Sequence, residues 1–252
     1  MRSAAPLFFF HRARQGGSLV DVLVVIVVVA VLAALILPTG IISWSDNNGA
    51  RRVQARNEVS QIDAAIRQFH TEYGHYPPLG NPSASTAGGV IPDQAAGDLS
   101  VAGIKVENSA LFNVLRAIDA PPNKNHVLNP KRIIFFEGRI VFFEKRVVSK
   151  PKAPRGGFLA KIPPDAMGKP GIPVSEGCLL DPWGRQYCIV IDTNGDGLLD
   201  VDQFYSDFKE TERPRATVGV FSMGQDNRVG TEKAPNLYRG KGVVSDDLIS
   251  WQ

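Results

Sequence analysis

Residues 16–38 read GGSLVDVLVVIVVVAVLAALILP. A lone acid, Asp21, stands near the start of the stretch, and the run after it is apolar without a break to Pro38. About twenty consecutive apolar residues are enough to cross the hydrocarbon core of a bilayer as a helix. Arg2, His11, Arg12 and Arg14 precede the run, and no acid accompanies them. The positive-inside rule therefore keeps the N-terminus in the cytoplasm and puts the chain beyond Pro38 on the far side. Asp21 has two readings. It either snorkels at the interface or, like most ionisable groups in membrane segments, has a task. An ordinary secretory signal fits poorly, because its apolar region is only about 7–15 residues long and its small-residue cleavage site comes after that region. Here the small residues come first. A plain uncleaved anchor is the simpler alternative.

The chain has 252 residues and a net charge of +3. Beyond the apolar run, one soluble domain's worth of chain remains. So balanced a charge, with no cluster of basic and aromatic residues, gives no reason to expect nucleic acid as a partner. Asp46-Asn47-Asn48 is a capping cluster ahead of Arg51. From there Val59, Ile62, Ile66, Phe69 and Tyr73 recur at steps of three and four, one apolar helical face. Gly74 is placed to cap that helix, and Pro77-Pro78 cannot continue it. Residues 79 to about 108 read as loop. Ser109–Ile118 reads as a short helix with Leu111, Leu115 and Ile118 on one face. The run IIFFEGRIVFFEKRVV, residues 133–148, is the strongest strand signal, with Glu137-Gly138-Arg139 as the expected hairpin turn. Residues 149–177 are loop again. Cys178–Leu180, Gln186–Ile191 and Thr217–Ser222 read as strands, the last as an alternating one.

Cys178 and Cys188 flank the turn Asp181-Pro182-Trp183-Gly184. A hairpin there would bring them within reach of a disulfide, which a non-cytosolic domain permits. The alternative is two small buried apolar side chains. The stretch from Asp192 to Asp200 matches the D-x-N-x-D-G pattern of a calcium loop. Asp192, Asn194, Asp196, the Leu198 carbonyl and Asp200 supply oxygens of the kind a hard cation wants, although Gln203 replaces the usual bidentate Glu. Asn-Gly and Asp-Gly are equally good turn residues, and a solvated acidic turn needs no metal. G-x-S-x-G, Walker, H-E-x-x-H and C-x-x-C motifs are all missing, and the four histidines are scattered, so no enzyme is expected.

A cationic leader, a glycine, an acid five residues into the mature chain and a long apolar helix resemble the class III signal of type IV prepilins and type II secretion pseudopilins. The resemblance makes Gly16 the last leader residue, Gly17 the first mature one, Asp21 the counterpart of the family's Glu, and Pro38 its helix-kinking proline. The segment ARRVQARNEVSQIDAAIRQFHTEYGHYPP is similar to the family's polar helix and its Tyr-Gly-x-Tyr-Pro-like turn. Asp181-Pro182-Trp183-Gly184, Phe221–Asp226 (FSMGQD) and Ser245–Trp251 (SDDLISW), in that order, resemble the C-terminal half of the major pseudopilin.

This likeness implies an α+β, pilin-like fold: a long N-terminal helix on a small antiparallel sheet with long loops. It divides the chain into a leader (1–16), a membrane and filament-core helix (17–38), an amphipathic continuation (39–76) and a periplasmic domain (77–252). The insert of about 79–177 is longer than the family usually has. By the same resemblance, a loop near the C-terminus takes calcium through the Met223 carbonyl and the carboxylates of Asp226, Asp246 and Asp247. The implied protein is a structural subunit, single-pass in the inner membrane until a prepilin peptidase cleaves and methylates it. It then forms a homo-oligomeric filament with other pseudopilins and the inner-membrane secretion machinery. A type IV pilus subunit, or a membrane-tethered periplasmic enzyme or calcium-binding domain, is the alternative.

Overall fold

The computed structural model describes residues 19–42, 47–79, 93–97, 106–143, 154–164, 175–202, 204–208, 213–230, 233–240 and 243–251. Gly16, Gly17 and the leader lie outside them, as do the side chains of Asp21 and Pro38. The chain divides into two compact units, Met1–Asn47 and Asn48–Gln252.

The first unit contains helix α1, Leu19–Ile42, whose backbone runs through Pro38 rather than breaking there. Its described side chains are Leu19, Val20 and residues 22–32, and all of them are exposed. Among the described residues no helix is long and apolar enough to cross a membrane.

The second unit is a mixed α+β structure. Helix α2, Asn47–Tyr73, buries Ala55, Val59, Ile62, Ala65, Ile66 and Phe69. This is the stripe expected from steps of three and four. Gly74 takes φ +75° and its N–H donates to His70 O at 2.8 Å, closing the helix as a left-handed cap. A four-stranded antiparallel sheet has the order β1 (Gln94–Ala96), β5 (Cys188–Ile191), β6 (Val218–Ser222), β9 (Leu248–Ile249). Ile189, Ile191, Val218 and Val220 share one core cluster with the α2 stripe. Cys188, Val190 and Phe221 share a second with Leu199, Val201, Phe204 and Tyr205. Both faces of the sheet are therefore covered. That is why β6 is buried at all five positions instead of alternating. Gly219 serves the second cover: a Cβ there would lie 2.8 Å from Leu199 Cδ1 and 3.0 Å from the Trp251 ring.

Helix α3, Ser109–Leu115, matches the expected short helix and stops three residues early. A second sheet has the order β2 (Ile140–Val141), β3 (Gly157–Leu159), β4 (Leu179–Leu180). In it β2 runs parallel to β3, and β3 antiparallel to β4. Among the described residues of the run, which end at Phe143, the expected hairpin about Glu137–Arg139 is not formed. The amides of Phe135 and Phe136 turn to Leu115 O, and Arg139 O accepts from Phe158 N at 2.7 Å. The aromatic side chains go the same way: Phe135 meets Phe69 edge-to-face, and Phe136 meets Phe158 edge-to-face and Phe112 at a tilt. A Cβ on Gly138 would sit 2.8 Å from the Phe158 ring. A two-stranded ribbon, β7 (Arg239–Gly240) with β8 (Val243–Val244), completes the unit.

Candidate functional site

The turn at Asp181–Gly184 is where the two sheets meet. Asp181 is fully buried. Its Oδ1 accepts the amides of Trp183, Gly184 and Arg185 at 2.8–2.9 Å, and its Oδ2 accepts the Ser222 hydroxyl at 2.6 Å. Its carbonyl accepts the amide of Gly156 at 2.8 Å. Burial pushes the carboxyl up to about 6, and the bonds from Ser222 and the turn amides oppose the rise. Two of the three motifs that carried the resemblance, DPWG and FSMG, are thus joined by one hydrogen bond.

The third motif lies alongside. Gly224 (φ +65°) packs so closely on Asp246 that a Cβ would fall 2.6 Å from its Oδ2. Asp246 Oδ2 accepts the Gln225 amide at 2.6 Å, and Asp226 Oδ1 accepts the Arg228 amide at 2.9 Å. Asp247 is buried beneath. Its Oδ2 accepts the Tyr205 hydroxyl and the Gly230 amide, at 2.9 and 2.8 Å, while its Oδ1 is buried without a hydrogen-bond partner. Burial lifts this carboxyl to about 7, against the opposing bonds from Gly230, Ser245 and Tyr205. Gln225 and Asp246, some twenty positions apart, are therefore joined in one loop.

The Asp192–Asp200 loop is built of Asx turns. Asp192 accepts the amides of Gly195 and Gly197 at 2.7 and 2.9 Å. Asn194 accepts that of Asp196, and Asp196 that of Leu198, both at 2.8 Å. Asp200 pairs with Arg213 and exchanges bonds with Asp93: each carboxylate accepts the other's amide. Asp93 and Arg213, which the sequence reading did not single out, thus belong to this loop. Burial, with the charges of Asp200 and Asp192, raises the Asp93 carboxyl to about 7. Among the described residues, no group of three or more His, Cys, Asp or Glu side chains is gathered to hold a metal.

Cys178 and Cys188 are not bonded, which corrects the expected disulfide. The reason is Asn108, a residue that sequence reasoning missed. The arms on either side of the turn begin as a ladder, Leu180 opposite Gln186. At the next pair the Tyr187 amide still reaches Leu179 O at 3.3 Å, and there the buried Asn108 side chain enters between the arms. Its Nδ2 donates to Leu179 O and Tyr187 O, and its Oδ1 accepts from Leu179 N, each at 3.0 Å. Beyond this wedge one arm joins β3 and the other joins β1 and β6. The two thiols end in separate apolar clusters.

On α2, Glu58 accepts the Tyr187 hydroxyl and the Gln54 side-chain amide. It lines a cleft of about 280 Å³ with Gln54, Gln61, Phe136, Glu137 and Arg139. His70 stacks on Tyr76 with ring centroids 4.2 Å apart, a packing role at the end of α2. No protein-family model, curated protein or solved structure matches this chain.

Proposed function

We propose that the protein is a pilin-like structural subunit, most similar in its motifs to the major pseudopilin of type II secretion, and not an enzyme. The observation that carries this reading is α1, whose described side chains are Leu, Val, Ile and Ala, every one of them exposed. A helix apolar on all sides is stable only in an apolar surrounding. Lipid provides this first, with the N-terminus cytoplasmic and the domain periplasmic. Copies of α1 provide it next, in a filament core. There Asp21 would be an unpaired charge in a dry bundle, which is strongly unfavourable. The amine freed at Gly17 by a prepilin peptidase is its natural partner, and the pair sets axial register as one buried polar residue does in a coiled coil.

Intact mass of the protein co-expressed with such a peptidase tests the reading. A methylated start at Gly17 is expected, and retention of Met1 sinks it in favour of a plain tether. Asp21→Ala is expected to insert and be cleaved but not to assemble. Normal filaments from that variant would refute the pairing.

Calcium is proposed at the C-terminal loop rather than at Asp192–Asp200. Asp247 Oδ1 is a buried carboxylate oxygen without a partner, the kind of ligand a hard cation takes. Met223, Asp226 and Asp246 are the further ligands the resemblance implies, and binding would have to draw these carboxylates together, since among the described residues no three are gathered to hold a metal. At Asp192–Asp200 the carboxylates already serve the loop's own amides and Arg213. Bound calcium would neutralise the C-terminal loop and hold it closed.

A further inference from the structure

We propose that the N-terminal half of α2 is a docking face for a second copy of this chain, and that the copy meets it with the acidic edge formed by residues 192–202. The proposal rests on self-assembly but names surfaces that the apolar helix does not supply.

Arg52 and Arg56 are exposed, Arg51 is half-buried, and Val53 among them is 61% exposed. Among the described residues, none of the three guanidinium groups makes an ion pair or side-chain hydrogen bond. The first turn of α2 contains no acid. Arg52 and Arg56, four residues apart on one face of the helix, repel each other, an unfavourable placement that anions from outside relieve. The nearest acid on the helix, Glu58, already receives Tyr187 and Gln54.

The complementary charge lies on the same unit but out of reach. Asp93, Asp192, Asp196, Asp200 and Asp202 gather at one edge, Asp93 and Asp192 buried and Arg213 against Asp200 and Asp202. Asp196 is exposed, and Asp202, 41% exposed in its side chain, lies 3.9 Å from Arg213. This edge is level with Arg67, because Arg67 donates to Thr217 Oγ1 and the Thr217 carbonyl accepts from Asp192 N. At 1.5 Å per residue, Arg67 stands about 16–23 Å along the helix from Arg56 and Arg52. That is beyond the Debye length of about 8–10 Å at physiological salt, so the two patches do not satisfy each other within one chain. A copy displaced along α2 by about that distance lays the acidic edge of one molecule on the arginines of the next, with Val53 inside the contact. Such a contact is head-to-tail. It does not close into a dimer, and it repeats into an open helical array.

The test uses the full chain in membranes, with Arg52→Lys and Arg56→Lys, produced as a mixture of isotopically heavy and light copies. A carbodiimide then joins amines to adjacent carboxylates. Mixed heavy–light peptides linking position 52 or 56 to Asp196 or Asp202 are expected. Their yield should drop about tenfold when Asp196→Asn and Asp202→Asn remove the acids, the equivalent of about 1.4 kcal/mol. In a separate arm, Arg52→Glu with Arg56→Glu is expected to block assembly, and Asp196→Arg with Asp202→Arg in the same chain to restore it. The proposal is overturned if links form only within one copy, if none form, or if the charge-reversed chain assembles as the parent does. It also falls if the reversal instead abolishes binding to phosphatidylglycerol vesicles and leaves copy-to-copy links intact. Persisting mixed links in a protein that forms no filament would support the docking face while refuting the filament reading.

Discussion

Replacing Asn108 by alanine removes the wedge that parts the two arms after the Asp181 turn. The side chain is wholly buried and bonds Leu179 O, Tyr187 O and Leu179 N. Alanine leaves the Tyr187 carbonyl and the Leu179 amide inside the protein without partners, at about 1–3 kcal/mol each, while Leu179 O keeps the Tyr187 amide at 3.3 Å. Allowing some relaxation of the arms toward each other, the expected loss is about 2–4 kcal/mol. Small domains are stable by only about 5–15 kcal/mol, so this is a large fraction of the total. Urea unfolding of the full chain measures it as a drop in midpoint at unchanged slope. With a slope of about 2 kcal/mol per molar, the midpoint falls by roughly 1–2 M. Asn108→Asp keeps the acceptor for Leu179 N but points an anion at two carbonyls. Its deficit should therefore shrink at acid pH, where the carboxyl can donate. If Asn108→Ala costs less than about 1 kcal/mol, the wedge does not hold the arms and the account of the separated cysteines is wrong.

Three further outcomes are expected. Asp93, Asp181 and Asp247 have folded-state values of about 7, 6 and 7, above the ordinary carboxylate value of 3.8. The folded chain therefore holds more protons than the unfolded one between roughly pH 4 and 7, and stability should fall as pH rises through that window. A melting temperature that climbs from about pH 5 to 8 without calcium would contradict this. Adding calcium near neutral pH should raise the melting temperature of the parent chain but not of Asp247→Asn; equal shifts in both would dismiss the C-terminal site. Phe69→Ala empties a buried position packed on Tyr73 and Phe135 and should cost about 3–5 kcal/mol in the same urea assay.

The parts of the fold that were legible in the sequence depend on local chemistry. Val59, Ile62, Ile66 and Phe69 declare one face of α2, and Gly74 declares its end. The turn at Asp181–Gly184 and the strands on either side of it come from the same kind of signal. The 133–148 run shows where local reading stops. Its composition announces an extended chain, but its partners are Leu115 and Phe158, which nothing in the run can specify. The cysteine pair failed for a similar reason: their symmetric placement about a turn is visible, whereas an asparagine some seventy residues earlier is not marked as a wedge. The three C-terminal motifs were legible as pieces. Their joining through the Asp181–Ser222 bond, and the exchange between Asp93 and Asp200, needed the fold.

The way α2 is held has a mechanical consequence. Its buried residues, from Ala55 to Phe69, span about four turns of helix, and most of them share one core cluster with β5 and β6. A pull applied at Asn47 along the helix axis loads those contacts together, in shear, rather than one after another as in peeling. Drawn by its N-terminal end, the domain would yield only when the whole stripe slips at once. Such an attachment suits a handle.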